Sequence, residues 1–195
     1  AKSLDLDGNG NLKYIEEQGS KVDLQQLAEA HDKAIRAYKQ NREKLIEWPM
    51  EKIMGLLIRN LEPEVDIYPA ELASIYKFND HDVNPLPTTI ETIPELKRLG
   101  RLGIISNLPH DSVKYELARY ELSRAFRPIV ISYEVGYRKP HPAIYREALM
   151  RANIEVEQGV FFSHDQEEVE GALRVGMQAH LAKNLGEVLS KLKTS

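Results

Sequence analysis

The second half of this chain alternates short apolar runs with helical periods, and that alternation restricts the fold more than any other feature. Residues 102–106, 128–132, 160–163 and 179–182 are apolar runs of strand length. Around them the spacing predicts helices over 90–99, 111–120 with Asp111 as the cap, 142–152 and 167–175. A last amphipathic helix carries Leu185, Val188, Leu189 and Leu192. Strands that alternate with helices demand a parallel sheet, because a parallel pair needs a connection long enough to hold a helix. The expected fold class is therefore α/β, a Rossmann-like parallel sheet core with helices on both faces.

Residues 2–6 read as a further strand of that sheet. The alternation then breaks off for some eighty residues. Asp23 with Gln26 three residues later forms a capping-box pattern, and Leu24, Leu27, Ile35 and Tyr38 recur at helical spacing. Pro49 opens a second helix bearing Ile53, Met54, Leu57 and Leu61; Pro63 stops it, and a third helix runs from about Pro69 to before Asn79. Residues 79–89 are dense in turn formers and read as a linker. The organisation expected is an α/β core from residues 1–15 and 86–195, interrupted by an inserted α-helical cap over 16–85.

Composition removes several function classes. The 195 residues are 42% hydrophobic and carry a net charge of -4 with mixed signs, so nothing favours nucleic acid or a membrane surface. No apolar run approaches the length of a membrane span, and no signal peptide is visible; a cytoplasmic protein is expected. The absence of cysteine excludes disulfides, thiolate metal sites and cysteine nucleophiles.

Chemistry concentrates where strands end. Asp5 and Asp7 leave the first strand on one face, ahead of Gly8. Two carboxylates in that pattern suit a nucleophile with an acid/base partner, or ligands for a hard cation. Ser106 and Asn107 end the next strand, Ser163, His164 and Asp165 a later one, and Lys139 lies in a loop between strands. In open α/β sheets, ligands gather at these carboxyl ends. A rival reading also fits. Residues 5–16, DLDGNGNLKYIE, match the twelve-position calcium loop of an EF-hand, with Glu16 at the bidentate position. Such loops pair, however, and the other candidate, 80–91, has Pro85 where the turn glycine belongs.

Four stretches in order carry a resemblance. They are DLDGN at Asp5, GIISN ending at Ser106 and Asn107, GYRKPHPAIY around Lys139, and FFSHDQEEVEGALRVGM with its acidic cluster. With these, the chain resembles the haloacid dehalogenase superfamily, on its phosphatase branch with a helical cap. The resemblance implies hydrolysis of a small phosphomonoester through an aspartyl-phosphate. Asp5 is then the nucleophile and Asp7 the acid/base. Ser106, Asn107 and Lys139 meet the substrate, Ser106 and Lys139 also serving catalysis. A magnesium ion is held by Asp5, Asp7, Asp165 and Glu168. Two positions depart from the family pattern. Asn9 stands where threonine is usual, and Ser163 where the metal-binding aspartate falls. Those departures keep two alternatives in view: a 2-haloacid dehalogenase-like hydrolase, and a non-catalytic protein of the same fold.

Overall fold

The structure, a computed structural model, describes residues 11–79 and 84–194. Asp5, Asp7, Gly8 and Asn9, and the strand expected over 2–6, lie outside the described residues. The chain divides between residues 82 and 83 into two compact units.

Over its described residues the first unit is helical: α1 (Asn11–Glu17), α2 (Leu24–Glu43), α3 (Met50–Leu61) and α4 (Pro69–Asn79). The capping box at the start of α2 forms as expected. Asp23 Oδ1 accepts from Gln26 N–H at 2.8 Å, and Gln26 Oε1 accepts from Asp23 N–H at 3.1 Å. Helix α3 follows Pro49 and buries Ile53, Met54 and Leu57. It stops at Glu62 (φ 48°), the residue before Pro63, where proline disfavours helical backbone. These faces meet Leu27, Ala34, Tyr38 and Leu72 in one apolar core. Trp48 packs half-buried against it, with Lys52 Nζ 4.1 Å above the indole.

Helix α1 is absent from the sequence expectation, and fully buried Ile15 ties it into the helical core. It also answers the calcium-loop reading. That loop needs the carbonyl of its seventh residue, Asn11, as a ligand. In α1 that carbonyl faces the N–H four residues on, and Glu16 is exposed.

The second unit is mixed α/β with parallel strands, as expected. Its elements are α5 (Pro87–Leu99), β1 (Leu102–Ser106), α6 (Ser112–Arg119), β2 (Phe126–Ile131), α7 (Ser132–Val135), α8 (Pro142–Ala152), β3 (Val160–Ser163), α9 (Gln166–Arg174), β4 (Gln178–Leu181) and α10 (Leu185–Thr194). Strand β1 pairs in parallel with β2, Ser106 opposite Ile131, and β3 with β4, Ser163 opposite Leu181. Helix α8 packs on β1 and β2, α9 on β3 and β4, and the two helices touch. Val130, Ile144, Tyr145, Phe161, Val169, Ala172 and Ala179 form one core shared by both strand pairs.

Several boundaries differ from the expectation for identifiable reasons. Helix α5 starts inside the expected linker, at Pro87, whose fixed φ suits a first helical position. Strand β2 begins at Phe126, and Ser132 opens α7 instead of ending the strand; its Oγ donates to the Leu108 carbonyl at 3.1 Å. Asp111 stands at the start of α6 but its side chain does not cap it. The N–H of Ser112 donates instead to His110 Nδ1 at 3.4 Å.

Candidate active site

The carboxyl ends of β1 and β3 and the loop before α8 meet around a single carboxylate, that of Glu168. Lys139 Nζ lies 2.9 Å from Glu168 Oε2, and both side chains are nearly buried, 11% and 13% exposed. Ser163 Oγ donates to the same oxygen at 2.7 Å. Asn107 Nδ2 donates to the other oxygen, Oε1, at 3.3 Å. In so sheltered a place the attraction between ammonium and carboxylate is screened far less than at the surface.

Local structure explains how each group arrives. Asn107 follows the last residue of β1, and Ser163 ends β3. Glu168 sits in the first turn of α9, whose start is fixed by Asp165: its Oδ1 accepts from Glu167 N–H at 2.8 Å and Glu168 N–H at 3.4 Å. That is the preferred role of an aspartate before a helix. Lys139 is held through its backbone. Its N–H donates to Asn107 Oδ1 at 2.8 Å, and its carbonyl accepts from Asn107 Nδ2 at 3.2 Å. Its ammonium also lies 5.7 Å above the Phe161 ring.

Two residues to which the sequence alone assigns no role prove central to this arrangement. Tyr145 is fully buried, and its hydroxyl donates to the Glu168 carbonyl at 2.7 Å. Burial, with Glu168 nearby, raises its pKa far above the ordinary phenol range, so it stays a donor. Gly171 lies where a Cβ would come within 2.8 Å of the Pro140 carbonyl and the Tyr145 hydroxyl. Both sit in the family motifs, Tyr145 closing GYRKPHPAIY and Gly171 in the EGA step. The signal for them is the fixed spacing of a tyrosine and a glycine around the lysine and the acids.

Of the site residues named from the sequence, the structure thus brings together Asn107, Lys139 and Glu168, with Asp165 one helical turn away and exposed. Ser106 ends β1, half-buried beside them in sequence. Asp5 and Asp7 lie outside the described residues. Asp165, Glu168 and Ser163 offer only oxygen donors, the class that magnesium prefers, so the donor set fits that ion. No three of His, Cys, Asp and Glu cluster among the described residues, so a metal site here would also need carboxylates from elsewhere in the chain.

A parallel α/β unit with a lysine, a serine and acids at its strand ends is the pattern of one large group of hydrolases. Residues 17–182 match the family of haloacid dehalogenase-like hydrolases, and the chain belongs to that family. Two curated proteins named glyceraldehyde 3-phosphate phosphatase are similar to it. The one from Methanothermobacter thermautotrophicus is 36% identical over 104 residues, 52% of this chain and 46% of that protein. The one from Methanopyrus kandleri is 29% identical over 126 residues, 63% of this chain and 54% of that protein. The chain spans about half the length of the curated relatives it matches. Among solved structures, a 2-haloacid dehalogenase from Pseudomonas syringae superposes with a TM-score of 0.68 at 19% identity, covering 98% of this chain and 92% of that one. A Bacillus subtilis hydrolase of the same family, YfnB, bound to magnesium, gives 0.57 at 15% identity, covering 97% and 93%. At these identities the structural likeness shows the fold alone.

Proposed function

We propose that this chain hydrolyses a small phosphomonoester, with Asp5 as nucleophile. The observation that carries the reading is the nearly buried Lys139 ammonium, fixed at the strand ends by Glu168 and by Asn107. A cation so held offers a preorganised charge to a phosphoryl group, which is how such sites stabilise a transition state. Asp5 attacks phosphorus, and Asp7 gives its proton to the departing alkoxide oxygen. Asp7, now a carboxylate, takes a proton from the water that cleaves the aspartyl-phosphate and regenerates Asp5. Ser106 donates to a phosphoryl oxygen. Magnesium would be held by Asp5, the backbone carbonyl of Asp7, Asp165 and Glu168, and would offset the repulsion between carboxylate and phosphate. In this reading residues 1–15 and 86–195 make up the hydrolase core, and residues 16–85 are its helical cap. The names of the relatives make glyceraldehyde 3-phosphate the first substrate to try.

A second reading, carbon–halogen hydrolysis, is favoured by Ser163, a hydroxyl where a metal-binding carboxylate is expected. One experiment separates the two: phosphate release from a panel of phosphomonoesters with and without magnesium, against chloride release from a 2-haloacid. We expect phosphate release that Asp5→Asn abolishes and that Lys139→Ala slows severely but measurably. Chloride release alone would support the second reading. Turnover of neither substrate class would make the chain a non-catalytic member of the family.

A further inference from the structure

We infer that the side chain of Asn107 is a positioning group that acts through Lys139 and does not touch the substrate; this rests on the phosphatase reading above. Hydrogen-bonding capacity decides the matter. A side-chain amide has two N–H donors and one carbonyl oxygen. In Asn107 both donors are committed, one to the Lys139 carbonyl at 3.2 Å and one to Glu168 Oε1 at 3.3 Å. The oxygen accepts from the Lys139 N–H at 2.8 Å. The opposite orientation of the amide would set its NH2 against an N–H and its oxygen against a carbonyl and a carboxylate, so the partners themselves fix this one. No side-chain N–H remains for a phosphoryl oxygen, and the free lone pair of the side-chain oxygen repels an anion.

What the group does instead is close a ring on the main chain of residue 139. Two hydrogen bonds to one residue's backbone fix the point from which the lysine side chain departs. The third bond fixes Glu168, the carboxylate 2.9 Å from that same ammonium. One side chain at the end of β1 therefore holds both members of an ion pair drawn from a loop and from α9. Placement of that kind governs rate, because a charge displaced by about 1 Å loses on the order of a hundredfold.

The test is a double-mutant cycle on the full chain, with para-nitrophenyl phosphate as the probe, using Asn107→Ala, Lys139→Ala and the pair together. Asn107→Ala is expected to lower kcat by about ten- to a hundredfold with KM within about twofold. The double variant is expected to be slower than Lys139→Ala by far less than the Asn107→Ala factor, because the asparagine acts chiefly through that lysine. Amide hydrogen exchange at Lys139 is expected to quicken in Asn107→Ala while the core of α8 stays protected. A raised KM with unchanged kcat would make Asn107 a substrate contact and overturn the inference, as would a double variant slowed by the full product of both factors. Unchanged exchange at Lys139 would also overturn it. Loss of the phosphatase reading looks different. The wild type is then inactive, or Lys139→Ala is as fast as wild type, and the clamp stands or falls on the exchange measurement.

Discussion

Gly171→Ala and Gly55→Ala make a matched pair of perturbations, because both glycines lie inside helices and only their surroundings differ. Alanine in a helix interior gains about 1 kcal/mol over glycine. At Gly55, in α3, the added Cβ meets only the Pro69 ring, at 3.7 Å, an ordinary contact. That substitution is expected to stabilise the helical unit by nearly the full gain. At Gly171, in α9, the Cβ falls 2.7 Å from Pro140 Cβ and 2.8 Å from both the Pro140 carbonyl and the Tyr145 hydroxyl. Two of those three atoms belong to a ring and a backbone and cannot rotate away, so overpacking takes its upper value, about 3 kcal/mol. Displacing the Tyr145 hydroxyl also loses its bond to the Glu168 carbonyl, about 1 kcal/mol more. Against the helix gain, the net is a loss of about 3 kcal/mol. Amide exchange across α8 and α9 reads this directly. A loss of that size speeds exchange roughly a hundredfold where opening is at equilibrium. Equal or slower exchange in Gly171→Ala would refute the packing argument.

Charges and site residues give the other expected outcomes. Burial alone would raise the Glu134 pKa, but hydrogen bonds from Lys114 and Arg151 outweigh it and hold the carboxyl below its ordinary range. Its stabilising contribution is present above that range and is lost as pH falls through the depressed value; Glu134→Gln should flatten the acid limb of a urea-unfolding series. Burial lowers the pKa of His31, which contributes fully above about pH 6.5. As pH falls below that, the unfolded chain takes up the proton first and stability drops; His31→Gln should remove this slope in the helical unit. Asp5→Asn should abolish phosphate release while leaving circular dichroism unchanged, and turnover within about tenfold of wild type would sink the nucleophile assignment. Ser163→Asp should tighten magnesium in a calorimetric titration, since a carboxylate is a better ligand than a hydroxyl for that ion.

The apolar periods are legible wherever a helix or strand buries one face: α2, α3, α8, β1 and β3 lie where Leu27, Ile53, Ile144, Ile105 and Phe161 require. Helix α1 is hidden because Asn11 to Glu17 shows one short turn of apolar residues behind a turn-rich segment. The cap of α6 escapes the sequence because Asp111 is the usual capping type, while His110, one residue earlier, supplies the acceptor. At the site, Lys139 and Glu168 are legible from motif spacing. Their mutual ion pair is not, nor are the Asn107 ring and the Tyr145 bond, because all join segments 23 to 61 residues apart. Spacing along the chain singles out candidate groups, and only tertiary packing decides which of them answer to one another.

The single tryptophan has a practical consequence. Trp48 rests on the helical core, and the α/β unit, with its own separate core, holds none. Intrinsic indole fluorescence is therefore a one-sided reporter. A chain whose α/β half has come apart would still glow as native, and a smooth sigmoidal fluorescence curve would certify only the helices. Pairing that signal with the far-ultraviolet dichroism of the whole chain turns the asymmetry to use, because any gap between the two curves measures how independently the two cores melt.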